Sequence, residues 1–207
     1  MKTTALLVLL IAVALAVAFF IFSKPAYPLS KEDAKKFFLE DLREKYPGAE
    51  VREVVEIVAM NSSDGTPYYQ LKARVTKGLS TPCPERLDVN YDYPPKNFVA
   101  QPPDYITKGC QVCIGQPKCV LAFPEEAIIA SHTYEGAPSV SSFVKDNSDA
   151  VPKAEFRESY GDFSGVWIVR WSSASSGKSY AVVLSKTQNR VLAVFEGDAP
   201  AEGLFKN

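Results

Sequence analysis

Apolar residues run without a break from Ala5 to Phe22, and no later stretch of the chain repeats that pattern. At about 1.5 Å per residue a helix over this run reaches about 27 Å, close to the hydrocarbon thickness of a bilayer. Lys2 precedes the run, and Ser23-Lys24-Pro25 follows it. The pattern predicts a single-pass transmembrane helix over 1–23, of the uncleaved signal-anchor kind. The alternative is a cleaved signal peptide, which has a shorter apolar core followed by a small-x-small site. Here Ala14, Ala16 and Ala18 lie inside the run, and Phe19-Phe20-Ile21-Phe22 continues beyond them.

Beyond the run the pattern changes to amphipathic elements. Ser30 reads as a helix N-cap with Asp33 three residues on. Ala34, Phe37, Phe38, Leu42 and Tyr46 then mark one apolar face, and Pro47-Gly48 ends the helix. Val51 to Met60 is rich in Val and Ile. Asn61-Ser62-Ser63-Asp64-Gly65 is turn chemistry. Tyr69, Leu71, Ala73 and Val75 alternate with polar residues, as do Leu87, Val89, Tyr91 and Tyr93, so both runs predict half-buried strands. The first unit, 24–95, is thus read as a helix followed by three antiparallel strands.

Residues 96–123 lack periodicity and form a Pro- and Cys-rich connecting segment. A second unit, 124–197, repeats the first pattern. Pro124 suits the first helical position, with Glu125 and Glu126 in the first turn. Ala127 to Ala130 supply the apolar content, and Gly136 and Pro138 end the helix. A loop through Asp146-Asn147-Ser148-Asp149 leads to strands at Phe156 to Tyr160 and Val166 to Trp171. A hairpin of Tyr180 to Leu184 and Arg190 to Phe195 follows. Residues 198–207 read as a tail. The fold class expected is α+β: an N-terminal transmembrane helix followed by two tandem helix-plus-antiparallel-sheet units.

The second unit resembles the PepSY family, and the tandem outline resembles cystatin-like folds. The residues that carry this are Trp167-Ile168-Val169-Arg170-Trp171, Tyr180-Ala181-Val182-Val183-Leu184 and Arg190-Val191-Leu192-Ala193-Val194. The turn between the last two, Ser185-Lys186-Thr187-Gln188-Asn189, keeps a Thr and has Asn where the family usually has Gly. The resemblance implies an extracytoplasmic, membrane-attached protein, in a family some of whose members restrain proteases. The cystatin inhibitory hairpin, Gln-x-Val-x-Gly, is not matched. Gln111-Val112-Cys113-Ile114-Gly115 has Cys at its centre and lies outside any predicted hairpin.

Composition narrows the function. The 207 residues are 46% apolar and 23% charged, enough to bury a core. A net charge of −1 leaves no electrostatic footprint for nucleic acid. Lys72, Arg74 and Lys77 read as a solvated strand face. Four cysteines, Cys83, Cys110, Cys113 and Cys119, sit in one region and allow three disulfide pairings. An even count favours structural disulfides worth roughly 2–4 kcal/mol each. The pairing favoured staples the connecting segment to the first unit through Cys83. The alternatives are tetrahedral zinc on the four thiolates, or a redox centre at Cys110-Gln111-Val112-Cys113. Even cysteines and a sequon at Asn61-Ser62-Ser63 place the soluble part outside the membrane, although the basic residues after Lys24 lean the other way.

Catalytic patterns are absent. The one histidine, His132, reads as a surface or packing residue. Ser142 with Lys145 and Ser175 with Lys178 match Ser-x-x-Lys spacing without the partner motifs that chemistry needs. Trp167 and Trp171 share a strand face with Val169 and read as core. The function expected is a non-catalytic interaction or regulatory module, held outside the cell by residues Ala5 to Phe22, with an unknown protein partner and no cofactor. The alternatives are a zinc or thiol protein on the four cysteines, or a subunit of a cell-surface assembly.

Overall fold

The structure, a computed structural model, describes residues 30–93 and 101–198. The apolar run, the Tyr27-Pro28-Leu29 linker and the tail beyond Asp198 lie outside the described residues.

Helix α1 (Lys31–Lys45) opens as the sequence indicates. The Ser30 hydroxyl accepts from the Asp33 N–H at 3.3 Å, and Glu32 and Asp33 complement the helix dipole. Just past its end Arg52 donates to Tyr46 O at 2.9 Å and to Pro47 O at 2.6 Å, which fixes the turn that follows. Strands β1 (Val51–Asn61), β2 (Pro67–Lys77), β3 (Glu85–Tyr93) and β4 (Asp104–Thr107) form an antiparallel sheet in sequential order. Alternation decides its two faces. Leu71, Ala73 and Val75 of β2 and Leu87, Val89 and Tyr91 of β3 pack on Ala34, Phe38 and Leu42 of α1.

Helices α2 (Pro124–Thr133) and α3 (Pro138–Asp146) precede the second sheet. That sheet is β5 (Val151–Tyr160), β6 (Phe163–Ser172), β7 (Lys178–Ser185) and β8 (Val191–Asp198), again antiparallel and sequential. Trp167, Val169, Trp171, Tyr180, Val182 and Leu184 pack under Ala127, Ile128, Val140 and Phe143 of the helices. Gly136 joins the helices at φ +98°, and an added Cβ would stand 3.3 Å from the Val191 Cβ, so a larger residue would be strained by the backbone and would crowd Val191.

The expected fold class is corrected by these elements. Among the described residues strand reaches 45% and helix 21%, so the protein is mostly β, two antiparallel four-stranded sheets with few helices. No helix among them is long and apolar enough to cross a membrane. The sequence reading fell short on strands for physical reasons. Strand β4 holds only Asp104-Tyr105-Ile106-Thr107, too short to display a period. Strand β5 begins at Val151 rather than Phe156, because Pro152 and the charged Lys153 and Glu155 mask its alternation. The loop expected before it contains α3. Pro138 stands at the first turn of that helix, where its missing N–H costs nothing, rather than ending the one before. Val140 and Phe143 are the buried residues of its face.

Candidate functional site at the junction of the two sheets

The face of the first sheet turned away from α1 carries charge. Arg74 pairs with Asp88 across β2 and β3, and Thr76 pairs with Arg86. All four are buried. The first turn of α2 closes over them. Arg74 Nε donates to Glu125 Oε1 at 3.0 Å, and the Thr76 hydroxyl donates to the same oxygen. Arg86 donates to Glu126 through Nη1 and to Asp88 through Nη2, the latter at 3.1 Å. Lys72 approaches Asp88 at 2.7 Å, and Arg74 reaches the exposed Glu53 at 3.3 Å. Phe123 lies under both guanidinium groups, 4.5 Å from Arg74 and 4.2 Å from Arg86, so its ring adds cation–π attraction.

The balance of this cluster explains its electrostatics. Lys72, Arg74 and Arg86 face Glu53, Asp88, Glu125 and Glu126, three positive groups against four negative. Burial pushes the Glu126 carboxyl up to about 7, with the Glu125 charge adding to it, against the opposing pull of Arg86 and of the Phe123 N–H. The Glu126 side chain accepts from that N–H at 3.1 Å, closing the helix start. Glu125 Oε2 and Arg86 Nε are buried with no hydrogen-bond partner among the described residues. Such a cluster holds two bodies in one register, and breaking one member costs more than the pair contributes.

The sequence reading of Arg74 as a solvated face is corrected: the residue is 8% exposed. Its signal was obscured because its partner stands 51 positions away. The other arginine, Arg86, and both α2 carboxylates carried no pattern beyond the helix start.

Beside the junction lie the cysteines. Cys83 is bonded to Cys110, and Cys113 to Cys119, with Cα separations of 4.7 and 5.2 Å. Cys83 thereby ties the segment after β4 to the start of β3. Cys110 and Cys113 are not bonded to each other. Lys108 and Gln111 exchange backbone hydrogen bonds at 3.2 and 3.0 Å around Gly109 and Cys110, both at positive φ, as in a type I′ turn. Gln111 therefore does lie in a tight hairpin, one that the sequence did not suggest. Cys113 also has positive φ, at 56°, uncommon for a residue with a side chain.

His132 is buried, not on the surface. Its Nε2 donates to Pro82 O at 2.9 Å, and its ring stands edge-on to Trp171. Trp171 is fully buried and donates to Ser131 Oγ at 2.8 Å, and Trp167 donates to Leu121 O at 2.7 Å. Both indoles are core. No protein-family model matches the chain, and neither does a curated protein or a solved structure.

The remaining candidates are scattered. Ser142 and Lys145 lie exposed on α3. The Ser175 N–H donates to Asp149 at 2.9 Å and the Ser175 and Ser173 hydroxyls donate to it at 2.8 Å; together they hold that carboxyl well below the usual range and brace a loop. Lys178 pairs with Glu196 at 3.4 Å. Asn61 ends β1 exposed, beside the turn to β2.

Proposed function

We propose that this chain is a non-catalytic binding module, held at the outer side of a membrane through the run Ala5 to Phe22, which captures an extended polypeptide segment on the open edge of β1. The observation that carries the reading is the edge itself. Strand β1 is eleven residues long and, among the described residues, is hydrogen-bonded on one side only, to β2. Its outward backbone groups suit the addition of a further strand. On the face away from α1 stand Val58 and Met60, beside the bulge at Val55, with exposures of 38%, 40% and 38%. Glu53 and Glu56 flank them, also exposed. A partner strand whose every second side chain is apolar opposite Val58 and Met60 and basic opposite Glu56 and Glu53 complements this strip. Two disulfides favour an oxidising location. The PepSY-like pattern of the second sheet agrees with a regulatory role.

The test is site-specific cross-linking in native membranes. A photoreactive residue at Met60 is expected to give one discrete protein adduct. The adduct is expected to be lost with Val58→Lys and absent from a probe at Ser164 on the second sheet. No adduct at Met60, or equal adducts at both probes, would refute the edge as the binding surface. An adduct consisting of two copies of the chain would favour the surface-assembly reading.

A further inference from the structure

Among the described residues, one group of three metal-binding side chains brings its donor atoms within 4.8 Å of one another: Cys83 Sγ, Cys110 Sγ and a ring nitrogen of His132. Three separate parts of the chain supply them, and each is held from outside the group. Cys83 lies between Pro82, whose carbonyl accepts from His132 at 2.9 Å, and Pro84, whose carbonyl accepts from the Thr107 hydroxyl at 2.8 Å. Cys110 occupies the tight turn between Lys108 and Gln111. His132 is fixed in the last turn of α2 against the Trp171 ring, with ring centroids 5.4 Å apart.

The chemistry of the histidine suits a ligand. A carbonyl only accepts, so Nε2 carries the proton in the bond to Pro82, and the neutral ring keeps its lone pair on Nδ1. A ring hydrogen bond to a backbone carbonyl is the usual way in which a ligating histidine is oriented. Both cysteines are half-buried rather than sealed in the core.

We propose that reduction of the Cys83–Cys110 disulfide converts this place into a metal site, with two thiolates and one imidazole, for zinc or a similarly thiophilic ion. A dithiol reductant gives two electrons and two protons to the sulfur–sulfur bond. That bond breaks to two thiols, while the reductant closes its own disulfide. Binding of Zn²⁺ then displaces one proton from each thiol. Three protein ligands leave a fourth tetrahedral position open to water, the pattern of reactive rather than purely structural zinc. The site is separate from the β1 edge, so its fate does not depend on the binding reading.

The experiment uses the full chain in detergent, with Cys113→Ser and Cys119→Ser so that no other thiol contributes. The protein is reduced with a dithiol, freed of reductant without oxygen, and titrated with Co²⁺ as the probe. One equivalent is expected to bind with thiolate-to-cobalt charge-transfer absorption, which Zn²⁺ abolishes by displacement. The oxidised protein is expected to give no such band. His132→Ala should weaken binding by more than about tenfold. If circular dichroism shows that this variant is unfolded, His132→Gln carries the same comparison. Absence of the band in the reduced protein, or unchanged affinity without the imidazole, would overturn the proposal.

Discussion

The two sheets share one plan and differ in their second face. Each is four-stranded, antiparallel and sequential, and each packs one face beneath helix. In the first sheet the opposite face carries Arg74, Thr76, Arg86 and Asp88, sealed by the start of α2. In the second sheet the opposite face carries Val166, Ile168, Ala181 and Val183, also buried. Strand patterning alone thus builds the same sheet twice, while the residues of the second face decide what the sheet is joined to. An apolar face is satisfied by any apolar cover. A buried charged face demands partners at fixed positions, so it specifies how the two halves meet.

The comparison breaks most sharply at Glu125. Glu125→Ala leaves Arg74 buried beside an unanswered Thr76, and we expect a loss of about 3–5 kcal/mol in chemical denaturation. An equal cost at an exposed pair such as Lys178 with Glu196 is not expected, since such pairs contribute about 0–1 kcal/mol. The disulfides come next. Cys83 and Cys110 are 27 positions apart and Cys113 and Cys119 only 6. Loop entropy then assigns about 3.6 kcal/mol to the first bond and about 2.2 kcal/mol to the second. Paired Cys→Ser variants, compared by thermal unfolding, should rank in that order.

A third prediction concerns pH. The Glu126 carboxyl is raised from 4.5 to about 7 in the folded protein. Between those values the folded state holds a proton that the unfolded chain has released. Stability contributed by the neutral form is therefore complete below pH 4.5 and falls as pH rises toward 7, by on the order of 3 kcal/mol. His132 acts in the opposite sense, because its depressed value favours the folded state less as pH falls below 6.5. Glu126→Gln removes the first slope and leaves the second. A stability profile that keeps its downward slope in this variant would exclude Glu126 as the source. The smallest effect belongs to the β1 strip. Val58→Lys should change stability by less than about 0.5 kcal/mol, since the side chain stands in water. A larger loss would mean that the strip serves folding rather than binding.

How much of this was legible follows from the same contrast. The alternation at Tyr69 to Val75 and Leu87 to Tyr93 located β2 and β3, since one face of each is core. The Trp167, Val169 and Trp171 series located β6 for the same reason. The short β4 and the serine-rich α3 left too few apolar positions to reveal a period. The cysteines were marked as a group, but their pairing depends on how β3, β4 and the turn at Gly109 meet. The junction was least visible. Glu125 and Glu126 suit any helix start, and Arg74 suits any exposed strand, until the fold brings them together. The third metal-binding candidate, His132, was read as a surface or packing residue, and its nearness to Cys83 and Cys110 appears only in three dimensions.

The central claim is that the charged junction makes the two sheets one cooperative body, and differential scanning calorimetry tests it most directly. The oxidised protein is predicted to unfold in a single transition whose calorimetric and van't Hoff enthalpies agree, with Glu125→Ala separating it into two. Two resolved transitions in the unaltered protein would contradict the account.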